Sequence, residues 1–142
     1  MLVPMKLGPI GEEMAATAVA LAKERGAQVD ALFVLVVPLA RELDATLLDL
    51  EEQAAASIAE AVLLGEENGV RVEGVTVRAR SLGRAIVEQA AERGADLIVL
   101  GSSPRWRRQS AFFSPTVDYV LRHAPCEVLV VAFPQGVLED VL

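Results

Sequence analysis

The feature that most constrains this chain is the segment Val29-Asp-Ala-Leu-Phe-Val-Leu-Val-Val37, a nearly unbroken apolar run closed by Pro38. A strand with one face in water alternates apolar and polar residues. A near-continuous run belongs to a strand covered on both faces, the pattern of a parallel sheet sandwiched between helices. Ala95 to Leu100 repeats that buried-strand pattern. A chain holding such strands must supply helices between them, because parallel neighbours need long crossovers.

Those helices are legible. Gly8-Pro-Ile-Gly11 turns into a helix running to about Arg25, with Met14, Ala18, Leu21 and Ala22 as its apolar stripe and Gly26 as its stop. The stretch from Arg41 to Asn68 holds a longer helix with Leu47, Leu50, Ala54, Ile58, Ala61 and Val62 on one side, closed by Gly69. Ser81 is read as the cap of a third helix, Leu82 to Arg93, ended by Gly94. Ser114, with Pro115 at the first helical position, opens a fourth that runs to about His123. Leu2 to Met5 reads as a very short first strand, Arg71 to Arg80 alternates as a strand near an edge, and Glu127 to Phe133 is the last strand. The order is βαβαβαβαβ. It predicts one α/β domain over residues 1–142, a five-stranded parallel sheet with helices on both faces.

Composition narrows the function. The 142 residues are 53% hydrophobic and carry a net charge of −7, against the extended basic surface that nucleic-acid binding needs. Cys126 is the only cysteine, which excludes an internal disulfide and a cysteine-based metal cluster. No apolar run is long enough to span a membrane and no signal peptide is visible, so a cytoplasmic location is expected. His123 has no partner in a catalytic spacing, and Cys126, preceding a buried strand, reads as an inert thiol.

Against that acidic background, three arginines fall within four residues, Arg105, Arg107 and Arg108, directly after the fourth strand. Ligands of open α/β sheets bind at the carboxyl ends of strands where the strand order reverses. The cluster therefore reads as an anion-binding loop, with phosphate the favoured anion. The alternative is a solvated loop with Trp106 packed under an arginine stem.

Three stretches carry a family resemblance: Leu2-Val-Pro4, Gly94-Ala-Asp-Leu-Ile-Val-Leu-Gly-Ser102 and Val120-Leu-Arg-His-Ala-Pro-Cys-Glu-Val-Leu-Val-Val131. With them the chain resembles the universal stress protein domain, of the adenine-nucleotide α-hydrolase-like superfamily, over essentially its whole length. The runs 3–13, 104–110 and 133–137 look closer to a subgroup found as the cytoplasmic C-terminal domain of amino-acid permease-like transporters. The brief first strand fits a domain excised from a longer protein and also a natural start.

The resemblance implies a non-enzymatic binding and regulatory module whose ligand, ATP or another adenine nucleotide, sits at the ends of the first and fourth strands. No metal is required. ATP-binding members carry Gly-x2-Gly-x9-Gly-Ser/Thr after the fourth strand. Here Gly101 matches, but Pro104 and Ser114 replace the second and third glycines and Pro115 stands where a hydroxyl is usual, with Thr116 one place later. Each proline removes an amide donor. The acidic residue usual after the first strand is Lys6, beside Pro4. By position Val34 would line the adenine pocket, Leu100 and Gly101 would meet ribose or phosphates, and Ser103 and Ser114 hold further contact positions. Either the site has lost its nucleotide, or Lys6, Arg105, Arg107 and Arg108 replace backbone amides with side-chain charge. The resemblance also implies a homodimer through the last strand, around Val128, Val130 and Ala132, and a possible membrane-transporter partner. Weak nucleotide hydrolysis is the remaining alternative, without a visible general base.

Overall fold

The computed structural model describes residues 1–6, 8–102 and 113–133. Its elements follow in the order β1 (Leu2–Pro4), α1 (Pro9–Arg25), β2 (Val29–Val36), α2 (Leu48–Asn68), β3 (Val72–Ala79), α3 (Leu82–Glu92), β4 (Leu97–Ser102), α4 (Pro115–His123) and β5 (Glu127–Ala132). The five strands form one parallel sheet in the order β3-β2-β1-β4-β5. β1 lies at the centre, and the chain leaves it first toward β2 and later crosses back to β4. The order therefore reverses at β1.

Parity along the strands sorts the core. Val3, Val29, Leu97 and Val99 face α1, joined by Met14, Ala18, Val19 and Ala22. Phe33 and Leu35 meet Ala54 of α2 on the same side. Their neighbours one residue away, Leu2, Leu32, Val34, Ile98 and Leu100, face α3 and α4, where Ala85, Ile86, Ala90, Val117 and Val120 cover them. This two-sided cover explains why β2 and β4 read as apolar runs. Asp30, the polar member of the β2 run, is also buried. Arg93 at the end of α3 donates from Nε to its Oδ2 at 3.1 Å and from Nη2 to its Oδ1 at 3.4 Å. That hydrogen bond holds the Arg93 guanidinium charged beyond its already high ordinary range.

Gly26 and Gly69 close α1 and α2 as read from the sequence, and Ser81 caps α3 by accepting from the Arg84 amide. The start of the second helix differs. It begins at Leu48, not near Arg41. Carbonyls of the segment before it accept from two arginines at the end of the edge strand. Arg78 donates to Leu43 and Ala45 and pairs with Glu51, while Arg80 donates to Val37 and Pro38. Residues 38–47 form turns instead, with Arg41 N–H on Pro38 O and Ala45 N–H on Glu42 O, each at 3.0 Å. Among the described residues no helix is long and apolar enough to cross a membrane.

Candidate functional site

Unequal strand lengths create the site. β1 ends at Pro4, which pairs with Leu32, whereas β2 continues to Val36. On the other side Leu2 pairs with Ile98, and β4 continues to Ser102. The central strand thus stops short of both neighbours. The resulting crevice, of about 620 Å³, lies over the end of β1 at the point where strand order reverses. That volume falls within the usual range of small-molecule sites.

Seven elements line it: Pro4, Met5 and Lys6 from β1 and its exit; Ile10, Gly11 and Met14 from α1; Leu32, Phe33, Val34 and Val36 from β2; Leu50 and Gln53 from α2; Leu82 and Ile86 from α3; Leu100 and Gly101 from β4; Ser114, Thr116 and Val117 at the start of α4. The structure therefore brings together Pro4, Lys6, Val34, Leu100, Gly101, Ser114 and Thr116 of the residues singled out from the sequence. Ser103, Arg105, Arg107 and Arg108 lie outside the described residues. Sequence reasoning missed Met14, Phe33, Gln53, Leu82 and Ile86. Two of these had a signal. Phe33 adjoins Val34 at the end of a strand beside the reversal, and Gln53 lies three residues after Leu50, on the same helix face.

The two glycines of the crevice serve packing. A Cβ at Gly101 would stand 3.0 Å from Cγ and Sδ of Met14 and 3.3 Å from Phe133. A Cβ at Gly11 would overlap the Lys6 carbonyl outright. From the other side, Met5 N–H donates to Leu32 O at 2.7 Å. The backbone on either side of Lys6 is thus held between β2 and the first turn of α1.

At the opposite wall, α4 satisfies its own first turn. Ser114 Oγ accepts from Val117 N–H at 3.2 Å, and Ser114 O accepts from Asp118 N–H at 3.0 Å. Pro115 has no amide hydrogen. Among the described residues this leaves Thr116 as the first-turn residue whose amide is not engaged. A second, smaller cavity of about 330 Å³ runs between α1 and α2. It shares Met5, Lys6 and Gly11 with the crevice, but its rim adds Glu12, Glu60 and Glu67.

The remaining reactive groups lie apart from the crevice. Burial pushes the Cys126 thiol up from its ordinary value, which disfavours the thiolate. His123 stacks on Tyr119 with ring centroids 4.1 Å apart, and its Nδ1 lies 2.9 Å from Tyr119 O. Among the described residues no group of His, Cys, Asp and Glu is placed to hold a metal ion.

The architecture and the comparisons agree. The model of the universal stress protein family matches residues 1–132. This chain belongs to the universal stress protein family. It is 29% identical to a universal stress protein of Methanocaldococcus jannaschii, covering 94% of this chain and 82% of that one. A universal stress protein from Archaeoglobus fulgidus superposes with a TM-score of 0.73 at 21% identity, covering 91% of this chain and 90% of the other. The universal stress protein from Archaeoglobus fulgidus solved in complex with dAMP superposes with a TM-score of 0.68 at 20% identity, covering 91% and 94%.

Proposed function

We propose that this universal stress protein domain is a non-enzymatic, ligand-responsive module that takes an adenine nucleotide in the crevice over β1. The observation that carries the reading is the crevice itself. It lies at the reversal of the sheet, and it gathers from β1, β2, β4 and α4 the described positions at which the family pattern would place a nucleotide. A structural relative in complex with dAMP supports the same ligand class. The site departs from the glycine cradle at Pro104, Ser114 and Pro115, so its grip on phosphate through backbone amides is reduced. Binding is favoured over turnover because the described lining holds no carboxylate, histidine or cysteine within reach of an attacking water.

A thermal-shift panel at low salt with ATP, ADP, AMP and cyclic dinucleotides tests this. Ligand at about a hundred times its Kd adds roughly 2.7 kcal/mol, which is on the order of ten degrees for a domain of this size. A shift with an adenine nucleotide is expected. No shift with any of them would overturn the reading.

The proposal extends to a homodimer through β5. That strand is at the sheet edge, with Leu129 exposed and Val128, Val130 and Val131 half-buried. An unpaired apolar edge invites a second strand. Proline at position 130 removes a ladder donor. Val130→Pro should yield a monomer by light scattering, and an intact dimer would rule out this geometry.

A further inference from the structure

We infer that Lys6 sets the charge of the ligand: the crevice takes a flat, largely apolar body bearing one anionic group, and that group lies against the Lys6 ammonium at the corner between β1 and α1. This rests on the reading of the crevice as a ligand site and names the ligand chemistry within it.

Three observations converge on the residue. First, Lys6 is the one charged side chain among the described residues that line the crevice; the rest are apolar except Gln53, Ser114 and Thr116. Such a lining suits a largely apolar body whose charged group meets Lys6, the described charge that can compensate its desolvation. Second, Lys6 makes no ion pair among the described residues, although the chain holds 20 carboxylates and 13 lysines and arginines. Its ammonium is therefore available to a ligand without first breaking a contact. Third, its backbone neighbourhood is fixed, by the Met5 to Leu32 hydrogen bond on one side and by the close approach of Gly11 on the other. The side chain therefore leaves the backbone from a set position, at the mouth of the crevice.

The smaller cavity fixes the direction. It meets the crevice at Lys6, but Glu12, Glu60 and Glu67 on its rim repel an anion. An anion drawn to Lys6 is favoured on the crevice side, where the described lining carries no carboxylate. The opposite wall offers less, since Ser114 takes the Val117 amide and Pro115 has none, which leaves the neutral Thr116 amide against the full charge of Lys6.

The test compares adenosine with AMP by calorimetry on the intact chain, for the native protein, Lys6→Gln, Lys6→Arg and the triple change of Arg105, Arg107 and Arg108 to Ala. Native protein should prefer AMP over adenosine by roughly tenfold or more, the scale of one hydrogen bond to a charged group. Lys6→Gln should abolish the preference by weakening AMP alone, and Lys6→Arg should restore most of it. Lys6 is exposed, so Lys6→Gln should keep the native circular-dichroism spectrum. A preference that survives Lys6→Gln and vanishes in the arginine triple variant overturns the inference and moves the anion to the loop.

If neither adenosine nor AMP binds the native protein, the nucleotide reading falls, and two fluorescent probes decide the inference separately. These are 8-anilinonaphthalene-1-sulfonate, a flat apolar body with one anionic group, and its neutral parent N-phenyl-1-naphthylamine. Lys6→Gln should weaken the sulfonate about tenfold and leave the neutral probe unaltered. Equal effects on both probes, or none on either, would overturn the inference.

Discussion

The two walls of the crevice are built alike and finished differently. Each is a strand followed in the chain by a helix with proline in its first turn, α1 after β1 across residues 5–8 and α4 after β4 across residues 103–114. At α4 the capping hydroxyl of Ser114 accepts from Val117, so the helix meets its own needs. At α1 the capping residue is Gly8, which offers no side chain, and the first turn is locked onto the chain by the contact of Gly11 with Lys6. Helix starts of both kinds favour negative charge in the same sense. What separates them is the engagement of their donors. One wall has all but its Thr116 amide engaged, and the other presents a lysine.

The largest effect expected from breaking this contrast is at Gly11. Replacing a helical glycine by alanine ordinarily stabilises by up to about 1 kcal/mol. Here the added methyl would overlap the Lys6 carbonyl, and backbone cannot move aside as a flexible side chain can. Overpacking of this kind costs roughly 1–3 kcal/mol and occasionally more. Gly11→Ala should therefore be destabilising by about 2 kcal/mol net in urea unfolding. The sign decides: a stabilised variant would show that Gly11 and Lys6 are not in contact, and that the β1–α1 wall is not locked.

How much of this was legible in the sequence follows from the range of each interaction. The buried strands declared themselves because cover on both faces leaves a local imprint, as in Val29 to Val37. Helix ends at Gly26 and Gly69 and the start at Ser114 depend on residues within one turn, and they were legible too. The start of α2 was not. The segment before it is tied to Arg78 and Arg80, more than thirty residues downstream, through the carbonyls of Val37, Pro38, Leu43 and Ala45. Asp30 looked like an interruption in an apolar run, and its partner Arg93 lies 63 residues away. The site divides in the same way. The ends of β1, β2 and β4 could be placed from the strand order, whereas Met14 and Ile86 enter the lining only through helix packing.

A smaller effect sharpens the contrast from the other wall. If α4 is satisfied by its own cap, removing the Ser114 hydroxyl should cost stability in a graded way. Ser114→Ala leaves the Val117 amide without its acceptor and should lose about 1 kcal/mol, the usual value of an N-cap. Ser114→Gly should lose only a few tenths of a kcal/mol, because glycine leaves the helix start open to water. Urea unfolding of the two variants beside the native chain reads the order directly. Equal losses would mean that the serine acts through packing and not through the amide, and α4 would then have no claim to be the self-capped wall. The expected order, native above glycine above alanine, would show that the Ser114 cap engages the Val117 amide. The unpaired ammonium of Lys6 would then remain the one charged group that the described crevice lining presents to a ligand.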